Sequence, residues 1–219
     1  TTGVQNTFIG GLAGDAISTG YDNVAVGYLA LSAATSGFDN VAVGGEALAS
    51  NSGVNNTAVG HKSAYTNTSG TQNSALGTYS LFANTEGDYN TVVGYTALAA
   101  NTTASNNTAL GHAALNDNTT GASNVAVGQG SLDANTTASY NTAVGTVALG
   151  ANTTGAGNVA VGYASLDANT TASDNTALGY FSLSANTTGA KNTAVGKSAL
   201  SANTTASNNT ALGSSVLAT

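Results

Sequence analysis

The chain has 219 residues, one or two ordinary domains by length, yet only 6% of them are charged, against about 25% in soluble globular proteins. It contains no Cys, Met, Pro or Trp, and its ten carboxylates and three Lys leave a net charge of −7. That composition excludes a disulfide framework, a thiolate metal site and a basic nucleic-acid footprint, and no apolar run approaches the roughly 18 residues of a membrane-spanning segment. With 41% hydrophobic residues, the chain is not expected to be disordered either.

From its start the sequence repeats. The phrase Asn-(Thr/Val/Ser)-Ala-(Val/Leu/Ile)-Gly, with few departures at the Ala, begins at Asn6, Asn23, Asn40, Asn56, Asn73, Asn90, Asn107, Asn124, Asn141, Asn158, Asn175, Asn192 and Asn209. Every step is 17 residues except the 16-residue step from Asn40 to Asn56, where the run Asn51-Ser52-Gly53-Val54-Asn55 is one residue short. The unit reads N-T/V-A-V/L-G-x-x-A/S-L-x-A-N-T-T-G/A-A/S-x, and its turn alternates between Thr-Gly (Thr120-Gly121, Thr154-Gly155, Thr188-Gly189) and Thr-Ala (Thr103-Ala104, Thr137-Ala138, Thr171-Ala172, Thr205-Ala206). The array opens and closes within a unit, which predicts one repeat array over residues 1–219, a segment of a longer protein.

Seventeen residues rich in Gly, Asn and Thr suit strands and turns better than a helical pair. The Thr-Ala-Val or Val-Ala-Val segment, closed by Gly27, Gly44, Gly60 or Gly94, predicts one short strand. The recurring Leu (Leu31, Leu48, Leu81, Leu98, Leu115 and onward to Leu217) predicts a second, and Asn-Thr-Thr-Gly/Ala a turn in which Asn bonds nearby backbone. The expected fold is an all-β parallel β-solenoid, or β-roll, of about thirteen coils with two short strands per coil, roughly 60 Å long at about 4.8 Å per coil. The Val or Leu before Gly and the recurring Leu are expected inside, with the phrase's Asn bonding along its own column. The strand's Ala column (Ala25, Ala42, Ala58 and successors) is expected to form a flat outer face.

Catalytic chemistry needs unlike residues brought together, and a repeat stacks like on like. His61 and His112, the two histidines, fall three coils apart, roughly 14 Å, too far for one metal ion or one proton relay. Asp133 and Asp167 share a repeat position two coils apart without Lys or His support, and no G-G-x-G-x-D calcium motif recurs. No catalytic, cofactor-binding or metal-binding residues are therefore assigned, and no enzyme activity is expected. The Asn-Thr-Thr triplets at Asn101, Asn118, Asn135, Asn152, Asn169, Asn186 and Asn203 match the glycosylation acceptor in form, although turn chemistry explains them without sugar. The residue after the phrase's Gly varies: Tyr28, His61, Tyr95, His112, Gln129, Tyr163, Tyr180 and Lys197 would stack into one outer stripe, either a glycan- or surface-contacting stripe or a solvated edge.

The phrase Asn-Val-Ala-Val-Gly followed by x-x-Ser/Ala resembles the head repeat of trimeric autotransporter adhesins. The longer N-T-A-V-G-x-x-A-L-x-x-N-T-T-G form is similar to arrays in tail-fibre and surface-fibre proteins of bacteriophages and bacteria. The resemblance covers nearly the whole chain and implies a left-handed β-roll and a homotrimer, with either the Ala face or the Val/Leu side of the strand as the trimer contact. It implies an extracellular, non-enzymatic shaft or head segment of a phage tail fibre or bacterial adhesin, with a host-surface glycan or receptor as a conceivable partner, and no nucleic acid or membrane insertion. A self-polymerising extracellular filament and an ice-binding solenoid are the alternatives. The latter is disfavoured because adjacent Thr-Thr cannot put both hydroxyls on one strand face.

Overall fold

The computed structural model describes residues 3–218. The chain divides into two compact units, to Asn107 and from Thr108. In the first lie β1 (Thr7–Ile9), β2 (Val24–Val26), β3 (Val41–Val43), β4 (Thr57–Val59), β5 (Ser74–Leu76) and β6 (Thr91–Val93). In the second lie β7 (Thr108–Leu110), β8 (Val125–Val127), β9 (Thr142–Val144), β10 (Val159–Val161), β11 (Thr176–Leu178), β12 (Thr193–Val195) and β13 (Thr210–Leu212). Within each unit the strands run parallel and in register, Ala25 beside Ala42 beside Ala58, and Ala143 beside Ala160 beside Ala177. The fold is an all-β parallel solenoid with a 17-residue turn, as the repeat predicts.

Each coil carries one strand, not two. The segment around the recurring Leu is a chain of turns, because its seventh and ninth repeat positions (counting the phrase's Asn as the first) take the left-handed conformation: φ is 55° at Leu29 and 53° at Leu31, and 49° at both Leu48 and Leu98. A β-strand needs negative φ at every residue. Stacking nevertheless continues through the turns: the Leu31 N–H donates forward to the Ala47 carbonyl (3.0 Å), and the Leu29 N–H donates backward to that of Gly11 (3.0 Å).

The strand also faces the other way from the expectation. Its Ala column is the interior, with Ala25, Ala42, Ala58, Ala109, Ala126, Ala143, Ala160, Ala177 and Ala194 fully buried, so there is no flat outer Ala face. The residue before Gly points outward instead, Leu76 being 50% and Leu178 39% exposed. The reason is volume. A flattened coil holds the recurring Leu (Leu31, Leu48, Leu81 and their successors through Leu183, all fully buried) and two Asn columns, which leaves room only for Ala opposite them.

Both Asn columns are hydrogen-bonded ladders. The Asn23 side-chain amide donates to Asn6 Oδ1 (3.1 Å) and to the Gly37 carbonyl (2.8 Å), while the Asn23 N–H also donates to Asn6 Oδ1 (3.0 Å). Asn of the Asn-Thr-Thr turn does likewise: the Asn152 amide donates to Asn135 Oδ1 (3.1 Å) and to the Gly155 carbonyl (2.9 Å). Among the described residues no buried side-chain nitrogen or oxygen lacks a partner, which is the condition for burying an amide without a net penalty. The short coil preserves the pattern, since the Asn51 amide reaches the Gly53 carbonyl at 3.0 Å across one residue fewer, and Val41 still pairs with Thr57.

The alternation of the turn has a structural cause. Ser139 Oγ accepts the Ala122 N–H (2.9 Å), Ser173 Oγ that of Ala156 (3.0 Å) and Ser207 Oγ that of Ala190 (2.9 Å). Each Gly-Ala coil is thus bonded to the Ala-Ser coil after it. A Cβ on Gly121, Gly155 or Gly189 would meet the carbonyl of Ala138, Ala172 or Ala206 in that same following coil.

Candidate functional site

A column of side chains leaves the coil at the sixth repeat position, where the chain turns away from the strand. The glycine before it is indispensable: Gly60 has φ of 135°, a region open essentially to Gly alone, and a Cβ there would lie 2.6 Å from the Gly77 carbonyl carbon. The next residue gives its carbonyl to the following coil, as when the Tyr79 N–H donates to His61 (3.1 Å) and the Phe181 N–H to Tyr163 (3.0 Å). Its side chain is left outside. Tyr28, His61, Tyr95, His112, Gln129, Tyr163, Tyr180 and Lys197 are all exposed.

The stripe is not continuous within either unit. Gly45 separates Tyr28 from His61, and Thr78 separates His61 from Tyr95. Tyr79, one position further on, bridges the second gap, edge-on to His61 at 5.7 Å and to Tyr95 at 6.4 Å between ring centroids. Phe82 packs edge-on against Tyr79 (5.5 Å) and stacks with Tyr65 (5.5 Å), and Lys62 Nζ lies 5.4 Å from the centre of the Tyr65 ring. In the second unit Tyr163 and Tyr180 stack at 5.4 Å, Phe181 stands edge-on to both, and Lys197 Nζ lies 6.0 Å from the Tyr180 ring. Sequence reasoning missed Tyr65, Tyr79, Phe82 and Phe181. Their signal was the wide variation in side-chain size at the seventh and tenth repeat positions, which only an outward position tolerates.

His112 and Gln129 lie beside a different feature. Coil Asn141 carries Gly150 where its neighbours carry Asp133 and Asp167, and the gap is a cavity of about 380 Å³ lined also by Gln129, Gly130, Val147 and Ala151. Burial raises the carboxyl pKa of Asp133, and the charge of Asp117 adds to this while His112 opposes it. Burial also raises that of Asp167, against hydrogen bonds from the backbone at Asp167 and Ala168. The cavity wall offers two carboxylates and an amide, with no nucleophile-and-base pair. Among the described residues no group of three His, Asp or Glu side chains could hold a metal ion, and no helix is long and apolar enough to cross a membrane.

Six of the seven glycosylation-type triplets are closed to modification in the folded coil, and Asn203 in the last of them is half-buried. Asn101, Asn118, Asn135, Asn152, Asn169 and Asn186 are fully buried. Their side-chain nitrogens are ladder donors wherever the column runs, as at Asn135 and Asn169.

Fold and surface together define a parallel β-solenoid whose outward chemistry is aromatic rings on the turns and aliphatic side chains on the strands. Compared with protein-family models, curated proteins and solved structures, the chain matches none.

Proposed function

We propose that the chain is a non-enzymatic structural segment, the shaft or head of a tail fibre or cell-surface adhesin, working outside the cell as a homotrimer. The observation that carries the reading is the outward strand face. Its two columns hold Thr, Val or Ser at the strand's first residue and an aliphatic residue at its last, and Leu76, Val93, Val161 and Leu178 are 50%, 37%, 37% and 39% exposed. Among the described residues, none of the thirteen strands contains Asp, Glu or Lys. In a chain of net charge −7 this is the face on which identical copies approach without repulsion. The resemblance of the repeat to adhesin heads supports the trimer and the left-handed coil.

The mechanism is mechanical. Within each unit every coil adds about 4.8 Å of length, and backbone bonds together with two Asn ladders join it to the next, so stiffness is distributed over the interfaces of that unit. The test is the native mass by light scattering over a dilution series, for the wild type and for Val161→Lys/Leu178→Lys. Three chains that persist on dilution, falling to one chain in the folded variant, support the proposal. A wild-type monomer at every concentration overturns it.

A further inference from the structure

We infer that the ring cluster centred on Tyr79 in the first unit is a binding platform for a neutral oligosaccharide. The inference rests on the fibre reading, of which it names the external partner. Five rings from three successive coils, His61, Tyr65, Tyr79, Phe82 and Tyr95, form one connected surface with centroid separations of 5.5 to 6.4 Å.

The coil does not need these rings. The Tyr79 N–H bonds to the His61 carbonyl at 3.1 Å, and one coil later the Thr96 N–H bonds to the Thr78 carbonyl at 3.2 Å, with no ring at either residue. The backbone bonds that join the coils therefore form with or without a ring at these positions. They do hold one another, so a ligand meets side chains already ordered and binding loses less conformational freedom.

The chemistry of the surface selects its occupant. Ring faces are apolar, while the phenol oxygens of Tyr65, Tyr79 and Tyr95 and the imidazole of His61 supply donors and acceptors beside them. The cation at the rim, Lys62, is matched by Glu46 at 3.7 Å, so the platform has no unbalanced charge with which to hold a phosphate or carboxylate. The chain's own net charge of −7 acts against anions as well. An uncharged ligand with an apolar C–H face and hydroxyls around its edge is a pyranose. A second copy of this chain fits less well, because its exposed aliphatic columns belong to the strand face and not to the turns that bear the rings.

The chain has no Trp and nine Tyr, three of them (Tyr65, Tyr79 and Tyr95) in the platform, so the part of a tyrosine-emission change that the ring variant loses is the platform's. The full chain is titrated with cellohexaose, maltohexaose and chitohexaose, following tyrosine emission and saturation-transfer NMR. The comparison is Tyr79→Thr/Tyr95→Thr, which installs the residue that Thr96 and Thr78 already place at those repeat positions. At least one hexasaccharide is expected to bind, and the variant, still folded and of unchanged native mass, to bind it about tenfold or more weakly. No binding of any of the three, or equal binding by the variant, overturns the inference. So does a wild-type trimer that becomes a monomer in the variant, since the rings would then be a contact between chains. A wild-type monomer that binds in a ring-dependent way leaves the platform standing and removes the trimer.

Discussion

The ring of Phe8 fills the space left by Gly14: a Cβ on Gly14 would lie 2.7 Å from two of the ring carbons. Most later coils make the opposite division of the same volume, with Ala in the strand and Leu at the ninth repeat position, as in Ala25 and Leu31. Gly14→Leu alone is expected to overpack this coil and cost about 1–3 kcal/mol. Phe8→Ala/Gly14→Leu should recover most of that loss, since Gly14 at φ of 60° has the backbone of Leu31 at 53°. Thermal melting of the three proteins decides it, and a double variant no better than Gly14→Leu would refute the exchange.

The Asn ladder predicts an intolerance of near-isosteric change. Asn141 Oδ1 accepts the Asn158 N–H at 2.9 Å, and the Asn141 amide donates to the Gly155 carbonyl at 2.9 Å. Asn141→Asp replaces that donor with an oxygen facing a carbonyl in a buried site, which should cost at least about 2 kcal/mol and more as pH rises. Denaturant unfolding at two pH values measures both effects. Wild-type stability in the variant would mean that the ladder is not a net support.

The left-handed turn positions predict a gain. Val147 holds φ of 50° with a β-branched side chain, a conformation costing an L-residue roughly 1–2 kcal/mol and Gly nothing comparable. Val147→Gly is therefore expected to raise the melting temperature despite the lost side chain. A lower melting temperature would show that Val147 contributes more by contact, on the wall of the Gly150 cavity, than it loses by strain.

Acid should stabilise the coils around that cavity. The carboxyl pKa values of Asp133 and Asp167 are raised in the folded chain above 3.8, so between the unfolded and folded values the folded state binds more protons. Stability from these groups is present below 3.8 and is lost as pH rises through the folded values. Asp133→Asn/Asp167→Asn is expected to melt higher than the wild type at pH 7 and to narrow the difference at pH 4. Parallel pH profiles for the two proteins would contradict the assignment.

The repeat itself predicts the stacked parallel strands, the 17-residue turn and the Asn ladder. It does so because an in-register stack converts each repeat position into a column, and a column's tolerance of size shows whether it is buried. The segment around the recurring Leu reads as a strand because apolar periodicity reports burial, whereas φ is positive at Leu31 and Leu48, whose N–H groups reach the Ala47 and Ser63 carbonyls of the following coil.

Which face of the strand points inward was likewise outside the reach of the pattern. Thr-Ala-Val alternates equally well in either orientation, and hydrophobicity alone favours burying Val over Ala. Only the assembled coil decides it, since Leu and two Asn columns fill the interior until nothing larger than Ala fits at most coils. The same assembly gathered Tyr65, Tyr79 and Phe82 around His61 and Tyr95. Residues from different repeat positions meet there because ring contacts cross from coil to coil, between columns that the linear repeat keeps apart.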